Sequence, residues 1–458
     1  MKYHLLYKFS ILLAVIMIAG FGCKGLSQTE QELIQPVTLN YWTVYNDVAQ
    51  LQAMASEYQQ IRPYVRVNVR QVRYEEFDRL FVNALADDVA PDIVSMHVRW
   101  LNRYTNRLSP MPATVNVANI AVSGTYSKDT VVTQQTMQMP TKTILEKSFV
   151  STVADDVIIR GSVYGIPLAL DSLALYYNKD LLDKAGIPEA PQTWAEFLDA
   201  VKKTTRFSAD GRVIQSGVPL GTGKNVDYSS DILTLLVMQN RAKMAIGSHV
   251  SFADNVDRFG AGHPTIEALR FYTDFARPTK EVYAWNTQME SGFDAFTRGK
   301  AVFYFGYAFD LPRIKGRAPQ MNLEVVPVPQ LNASDPVNVA NYWVESVVKK
   351  SRHQNEAWDF IRFITTPDKI KIYTDATKRP SPLRQHIADQ EKDPLLAPFA
   401  SAVLHATNWY HGRNVDDAGK AIDDMIEGYL SPVPDGQDGA KRDIQLIQQS
   451  AQRVQQTM

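Results

Sequence analysis

The sequence predicts an α/β protein with two lobes, and three observations support this fold class. Between residues 37 and 96, short β-branched runs alternate with segments whose apolar residues recur at helical spacing. This alternation is typical of βαβ units, in which helices flank a mainly parallel sheet. The 458 residues exceed what a single hydrophobic core normally serves. Proline-bearing extended stretches at 163–178, 322–329 and 380–384 indicate several crossings between the lobes.

The elements can be assigned in chain order. Strands are predicted at 37–42, 65–69 and 90–96, with helical patterns between them. Residues 109–139 are rich in Thr, Ser, Val and Gln and are expected to form an extended surface excursion. Beyond the first crossing, Thr193 and Glu196 form a capping box that begins a helix.

The N-terminus has the features of a secretory signal. Lys2 and Lys8 precede an apolar run at 9–19 that is shorter than a membrane-spanning helix requires. Cys23 is the only cysteine and follows this run, so it has no partner for an internal disulfide. Its surroundings resemble a bacterial lipobox, which implies a signal peptide at 1–22 and a lipidated tether at 23–35. The alternative is an uncleaved signal anchor with an incidental cysteine.

Composition and motifs exclude several classes of function. A formal net charge of -1 gives no support for nucleic-acid binding. The sequence contains neither a Gly-x-Ser-x-Gly elbow nor a His-Glu-x-x-His zinc motif. We therefore expect no cofactor, no metal and no catalysis.

Candidate binding residues follow the predicted strands, because ligands of α/β sheets bind beyond the carboxyl ends of the strands. Trp42, Tyr45 and Asn46 lie at the end of the first strand, and His97 and Trp100 follow the third. Aromatic rings there offer platforms with a large contact area. Taken singly, each aromatic residue is equally compatible with packing in the core or at its rim. His97 is interpreted as a neutral hydrogen-bonding residue, since no second His or Cys lies at ligand spacing.

An ordered set of short motifs resembles a known family. The stretch 163–194 contains YGIP, Asp171, YYNKD, AGIP and PQTW in that order, and 293–307 contains a helix, Gly-Lys-Ala and a strand. Both blocks resemble family 1 extracellular solute-binding proteins, the receptors of carbohydrate ABC importers. The resemblance implies a type II periplasmic-binding-protein-like fold. It implies a first lobe at 36–168 and 329–383 and a second lobe at 169–328 and 384–458.

The resemblance also implies binding residues and partners. Position relative to the family blocks favours Tyr307, Trp343 and Trp409 as aromatic platforms for a carbohydrate. Asp171 and Glu345 are candidate acceptors for sugar hydroxyls, although Asp171 is equally suited to capping backbone N–H groups. The implied protein is a monomer outside the cytoplasm, anchored to the membrane through lipidated Cys23, that delivers its ligand to the transmembrane subunits of an ABC permease.

Two other functions stay open from the sequence. A secreted glycoside hydrolase also needs aromatic residues and two carboxylates, a part that Asp171 and Glu345 could take. A receptor of the same fold could instead bind a peptide, a polyamine or a glycerol phosphodiester.

Overall fold

The computed structural model describes residues 26–123 and 129–458. The predicted signal peptide at 1–22 and the predicted lipidation site Cys23 lie outside these residues. Two separate hydrophobic cores confirm the α/β fold with two lobes. Among the described residues, no helix is both long enough and apolar enough to cross a membrane.

The first lobe is built on a six-stranded sheet. Val37–Thr43 lies between Val65–Gln71 and Ile93–His97 and runs parallel to both. The remaining three strands, which join in antiparallel pairings, are Trp343–Val348, Leu108–Ser109 and Ile166–Pro167. The register pairs Trp343 with His97. The start of strand Trp343–Val348 therefore lies at the same sheet edge as the carboxyl ends of Val37–Thr43 and Ile93–His97.

The second lobe departs from the prediction of a mainly parallel sheet. Its central strand Ala174–Asn178 pairs antiparallel with both Phe303–Gly306 and Leu323–Pro327. The parallel prediction is wrong for these strands, and the reason is topological. The chain enters this lobe along Ala174–Asn178 and runs back toward the first lobe along the other two strands, so their directions are opposed.

Three crossings of the chain meet in one small hinge sheet. Asp171–Ser172 pairs with Asn338–Asn341, which in turn pairs with Ala406–Thr407. Leu170 belongs to the first core and Leu173 to the second. The third crossing lies at 406–410 rather than at 383, because Ile387, Ala400 and Val403 pack in the first core.

The predicted surface excursion at 109–139 contains a β-hairpin. Thr114–Ser123 and Asp129–Gln138 pair antiparallel. The hairpin is held to the first lobe by polar contacts, since the Ala118 N–H donates to the hydroxyl of Tyr64 at 2.9 Å and Arg62 Nη2 donates to Gln135 Oε1 at 3.0 Å. It packs beside helix Gln354–Ile364 of the same lobe.

The helices surround the two cores. Those of the first lobe are Gln28–Leu33, Val48–Ile61, Tyr74–Ala86, Leu101–Tyr104, Lys142–Ser148, Ser151–Val157, Gln354–Ile364, Pro367–Thr377, Arg384–Gln390 and Ala397–Ala402. Those of the second lobe are Lys179–Lys184, Trp194–Thr204, Ser229–Gln239, Val256–Phe259, Pro264–Asp274, Gly292–Thr297, Asp310–Arg317, Val415–Leu430 and Gly439–Gln455. Short 3-10 helices lie at Val98–Trp100, Thr105–Arg107, Gly260–Gly262 and Val403–His405. Short two-stranded ribbons are Ile158–Ile159 with Ser162–Val163, Arg206–Phe207 with Val213–Gln215, and Ala245–Ile246 with His249–Val250.

Candidate ligand-binding cleft

A cavity of about 520 Å³ lies between the lobes at the edge of the first sheet. Residues of the first lobe that line it are Tyr45, Asn46, Tyr74, His97, Arg99, Ala169, Asn341, Tyr342, Trp343 and Arg379. The hinge and the second lobe contribute Asp171, Asp227, Tyr228, Asp231, Phe309, Arg313 and Val415. Its size falls within the usual range for small-molecule sites.

Aromatic rings from both lobes form the walls of this cleft. Tyr45 packs against Trp343 with ring centroids 5.6 Å apart, and it meets Phe309 of the second lobe at 5.2 Å. Tyr228 lies 6.2 Å from Phe309 in an edge-on arrangement. The cleft thus presents aromatic surface on two opposing sides, as a ligand with apolar faces requires.

Trp100 supports this wall from behind. Its ring stacks on Tyr74 with centroids 5.2 Å apart and meets Trp343 edge-on at 5.5 Å. Trp100 is buried and does not line the cavity. The structure therefore brings it to the site as packing for two lining rings.

Glu345 lies beneath the cleft and not in it. Its carboxylate is fully buried and accepts hydrogen bonds from Tyr41 Oη, from Asn46 Nδ2 at 2.7 Å and from Ser95 Oγ at 3.1 Å. Burial raises the pKa of Glu345 to about 7, although these three donors lower it. The network fixes Asn46, whose Oδ1 also accepts from the Tyr373 hydroxyl at 3.2 Å. Glu345 thus holds a lining residue in place.

An ion pair joins the two lobes across the cleft. Arg99 Nη1 lies 2.8 Å from Asp231 Oδ1, and both side chains are about nine-tenths buried. The hydroxyl of Tyr307 donates to the other oxygen of Asp231 at 2.6 Å. Tyr307 is fully buried and acts through Asp231, so its ring is not a platform in this arrangement. A buried ion pair of this kind holds the lobes together only while both partners are present.

His97 is neutral in this setting. Burial, together with the positive charge of Arg99, lowers its pKa to about 4. Its Nδ1 accepts from the backbone N–H of Arg99, which leaves Nε2 to donate to Asn341 Oδ1 at 2.8 Å. No group of His, Cys, Asp or Glu with the geometry of a metal site occurs within 26–123 and 129–458.

Asp171 connects the hinge to the second lobe. Its two oxygens accept from the backbone N–H groups of Ser172 at 2.9 Å, Ala308 at 2.9 Å and Phe309 at 3.1 Å. Burial raises the pKa of Asp171 to about 7, against the lowering effect of these donors. The carboxylate therefore positions the loop that carries Phe309 while it also borders the cavity.

Two predicted residues lie elsewhere. Trp42 is still within the first strand and contributes to a separate cavity on the flank of the first lobe, where Arg70 sits 5.0 Å from its ring centroid. Trp409 lines a smaller cavity of about 300 Å³ that shares Tyr74, Arg99, Asp231 and Val415 with the cleft.

Of the ten predicted binding residues, the cavity brings together Tyr45, Asn46, His97, Asp171 and Trp343. The ten predicted residues did not include Tyr74, Arg99, Asp227, Tyr228, Asp231, Phe309, Arg313, Asn341, Tyr342 and Arg379. Arg99 lies between His97 and Trp100 just beyond the predicted strand 90–96, and this position was a usable signal. Tyr228 has a left-handed φ of 59° at the start of helix Ser229–Gln239, a conformation that no residue pattern indicated.

The lining of the cleft contains equal numbers of arginine and aspartate side chains, three of each. Arg99 pairs with Asp231, and Arg313 Nη1 lies 2.5 Å from Asp310 Oδ1. Arg379 donates to the backbone oxygen of Tyr45. The formal charges of the lining residues therefore balance, and the cleft offers hydrogen bonds and ring faces without a large net charge.

A two-lobed α/β fold with an aromatic cleft at the hinge defines a class of proteins that bind small solutes. The family model for bacterial extracellular solute-binding proteins matches residues 53–407, and the chain belongs to this family.

The individual relatives that match this chain have low sequence identity to it. The multiple sugar-binding protein of Streptococcus mutans is 22% identical over 253 residues, which are 53% of this chain and 56% of the relative. The chain spans about half the length of the curated relatives it matches. The cyclic alpha-maltosyl-1,6-maltose binding protein of Arthrobacter globiformis has a similar fold, with a TM-score of 0.70 at 17% identity over 92% of this chain and 100% of that one. A Mycobacterium tuberculosis protein in complex with glycerophosphocholine gives a TM-score of 0.68 at 17% identity, over 92% of this chain and 98% of that one.

Proposed function

We propose that this protein is an extracytoplasmic receptor that closes its lobes around a saccharide and delivers it to an ABC permease. The observation that carries the proposal is the cleft itself, in which Tyr45 and Trp343 of one lobe face Phe309 of the other. A sugar ring presents apolar C–H faces edged by hydroxyls, which match ring platforms flanked by amides and carboxylates. The multiple sugar-binding relative supports the same ligand class.

The electrostatics favour a neutral ligand over the charged alternatives. A glycerol phosphodiester needs uncompensated positive charge, and a polyamine needs uncompensated negative charge. The three arginines and three aspartates that line the cleft balance in formal charge, and Arg99 pairs directly with Asp231. A neutral polyhydroxylated solute accepts and donates hydrogen bonds without breaking this pair.

The geometry does not support the pair of carboxylates that the sequence suggested for hydrolysis. A glycoside hydrolase needs two carboxyl groups facing one bond. Glu345 is buried beneath Asn46 and outside the cavity, so it cannot flank a ligand together with Asp171. The receptor proposal requires that a bound sugar is released unchanged.

Calorimetric titration tests the function. We expect at least one of maltose, maltotriose, cellobiose, lactose or galactose to bind saturably and to be recovered intact by mass spectrometry. Glycerophosphocholine, spermidine and a dipeptide are the comparison ligands. Binding of one of these without any saccharide, or cleavage of a bound sugar, contradicts the proposal.

Membrane attachment through Cys23 is part of the same proposal and has its own test. We expect the full-length protein expressed in a bacterial host to partition with membranes and to carry a lipid mass on Cys23. Cys23→Ser should move it to the soluble extracytoplasmic fraction. Equal partitioning of both forms contradicts lipid anchoring.

A further inference from the structure

Another cavity between the lobes is basic and shares no lining residue with the cleft. It has a volume of about 420 Å³. Arg103 and Arg160 line it from the first lobe, and His411 and Arg413 line it from the second. The amides of Asn102 and Asn106 add hydrogen-bond donors. No Asp or Glu side chain is among its lining residues.

Two of its arginines lack partners within the part of the chain that the structure describes. No carboxylate lies within 4.0 Å of the side chain of Arg160 or Arg413. Arg103 pairs with Asp78 at 3.0 Å, which leaves further N–H groups of its guanidinium free to donate. Met458 also lines the cavity, and even a terminal carboxylate there leaves an excess of positive charge.

The backbone at Arg160 is unfavourable for this residue type. Arg160 has a φ of +50° in the tight turn between Ile158–Ile159 and Ser162–Val163, a position for which Asn or Gly is the ordinary choice. A Cβ on the adjacent Gly161 would lie only 3.7 Å from Lys142 Nζ, so a further cation approaches the same turn. A large cation held in a strained turn beside other cations indicates a role for its side chain.

His411 adds a donor that carries charge more readily than an ordinary histidine. Burial alone lowers its pKa, but the hydrogen bond to Asp156 at 2.8 Å and the charges of Asp156 and Asp155 outweigh this, so its pKa is raised. The charged groups that face it are these two carboxylates from helix Ser151–Val157 and Arg413 from its own segment.

We propose that this cavity is a binding site for a phosphate group, either of free phosphate or of a lipid headgroup, held between Arg103 and Arg160 of one lobe and Arg413 of the other. Guanidinium forks match the geometry of phosphate oxygens and bind them with paired, charge-assisted hydrogen bonds. The site is independent of the saccharide cleft and of the function proposed for it.

Calorimetric titration of the full chain with inorganic phosphate at constant ionic strength tests the proposal. We expect saturable binding that weakens about ten-fold in each of Arg160→Asn and Arg413→Gln, because each removes a charge-assisted hydrogen bond. Asn tolerates a positive φ, so Arg160→Asn keeps the turn. Arg66→Gln, an exposed arginine outside this cavity, is the matched control and should bind as the parent does.

A second experiment distinguishes free phosphate from the phosphate of a lipid headgroup. Vesicles of phosphatidylglycerol are compared with vesicles of phosphatidylcholine. Binding to the anionic vesicles alone, lost in Arg160→Asn and Arg413→Gln, assigns the phosphate to a lipid headgroup. No saturable binding in either experiment, or binding that both variants leave unchanged, overturns the proposal.

Discussion

The two walls of the cleft are built in different ways. The wall on the first lobe consists of residues at the ends of its strands. Trp343 begins a strand and Asn46 follows one. The buried carboxylate of Glu345 holds Asn46 in place through a hydrogen bond. The wall on the second lobe is carried by turns. Phe309 lies in a loop held by Asp171, and Tyr228 occupies a left-handed position before a helix.

The two walls therefore have different roles in binding. The contacts that organise the first wall lie within its own lobe, so they persist when the lobes separate. The contacts of the second wall with Arg99 and Tyr45 cross the cleft and exist only when the lobes are closed. A ligand that touches both walls favours the closed state by its differential affinity for it. Variants of the first wall should therefore change ligand contacts, and variants of the second should change closure.

The largest effect is expected from Asp231→Asn. This change leaves Arg99 buried against a neutral amide in the closed state, whereas the open state exposes Arg99 to water. We expect saccharide affinity to fall about 100-fold, or ~3 kcal/mol, when measured by calorimetry. Asp424→Asn breaks an exposed pair with Arg453 and is the matched control, since surface pairs contribute little. Equal affinities of the two variants would show that the pair does not govern closure.

Trp343→Ala should have the next largest effect. Loss of a central ring removes contact area from the first wall, and we expect affinity to fall about 30-fold, or ~2 kcal/mol. Trp42→Ala removes an indole of the same sheet that faces another cavity. Both variants lose fold stability, so only the titration of folded protein distinguishes them. If Trp42→Ala weakens binding as much as Trp343→Ala, the assignment of the first wall is wrong.

Asp171→Asn should weaken binding about ten-fold through the second wall. An amide offers a single acceptor oxygen and turns its NH2 group toward backbone donors that the carboxylate had satisfied. The Phe309 loop then loses its fixed position. Hydrogen exchange at residues 307–310 provides the direct measurement. Unchanged protection of these amides contradicts the positioning role of Asp171.

Glu345→Gln should change the pH dependence of stability more than it changes binding. The pKa of Glu345 is raised to about 7, so between about pH 4.5 and pH 7 the folded protein keeps a proton that the unfolded chain releases. Protonated Glu345 therefore contributes its full amount to the free energy of unfolding below about pH 4.5. This contribution, up to about 3 kcal/mol, is lost as the pH rises through about 7.

Gln resembles the protonated form, so Glu345→Gln should flatten this part of the pH profile in urea unfolding and alter saccharide affinity less than about threefold. Glu281→Gln changes an exposed position, so the free energy of unfolding of this variant should depend on pH as it does in the parent. An unchanged slope in Glu345→Gln would mean that the carboxyl does not titrate in this range.

The first wall was more predictable from the sequence than the second. Tyr45, Asn46 and His97 follow strands whose pattern is clear, and topology then brings them to one sheet edge. Trp343 and Glu345 share a strand face because side chains alternate with period two. The pattern cannot tell that Glu345, two residues further into the sheet, is covered by Tyr41 and Asn46.

The second wall depends on tertiary geometry. Asp231 belongs to helix Ser229–Gln239, and only folding places it opposite Arg99. The antiparallel strands of the second lobe were missed because strand direction follows from where the chain enters and leaves the lobe. Side chains alternate along a strand in the same way in parallel and antiparallel sheets, so the sequence pattern does not distinguish the two.

Small-angle X-ray scattering with and without each saccharide of the panel tests the central claim most directly. A saccharide that binds should lower the radius of gyration of the parent protein, since it links Trp343 of one lobe to Phe309 of the other. Asp231→Asn should show this compaction only at higher saccharide concentration. A saccharide that saturates the protein without any change in the radius of gyration would contradict closure of the lobes around the ligand.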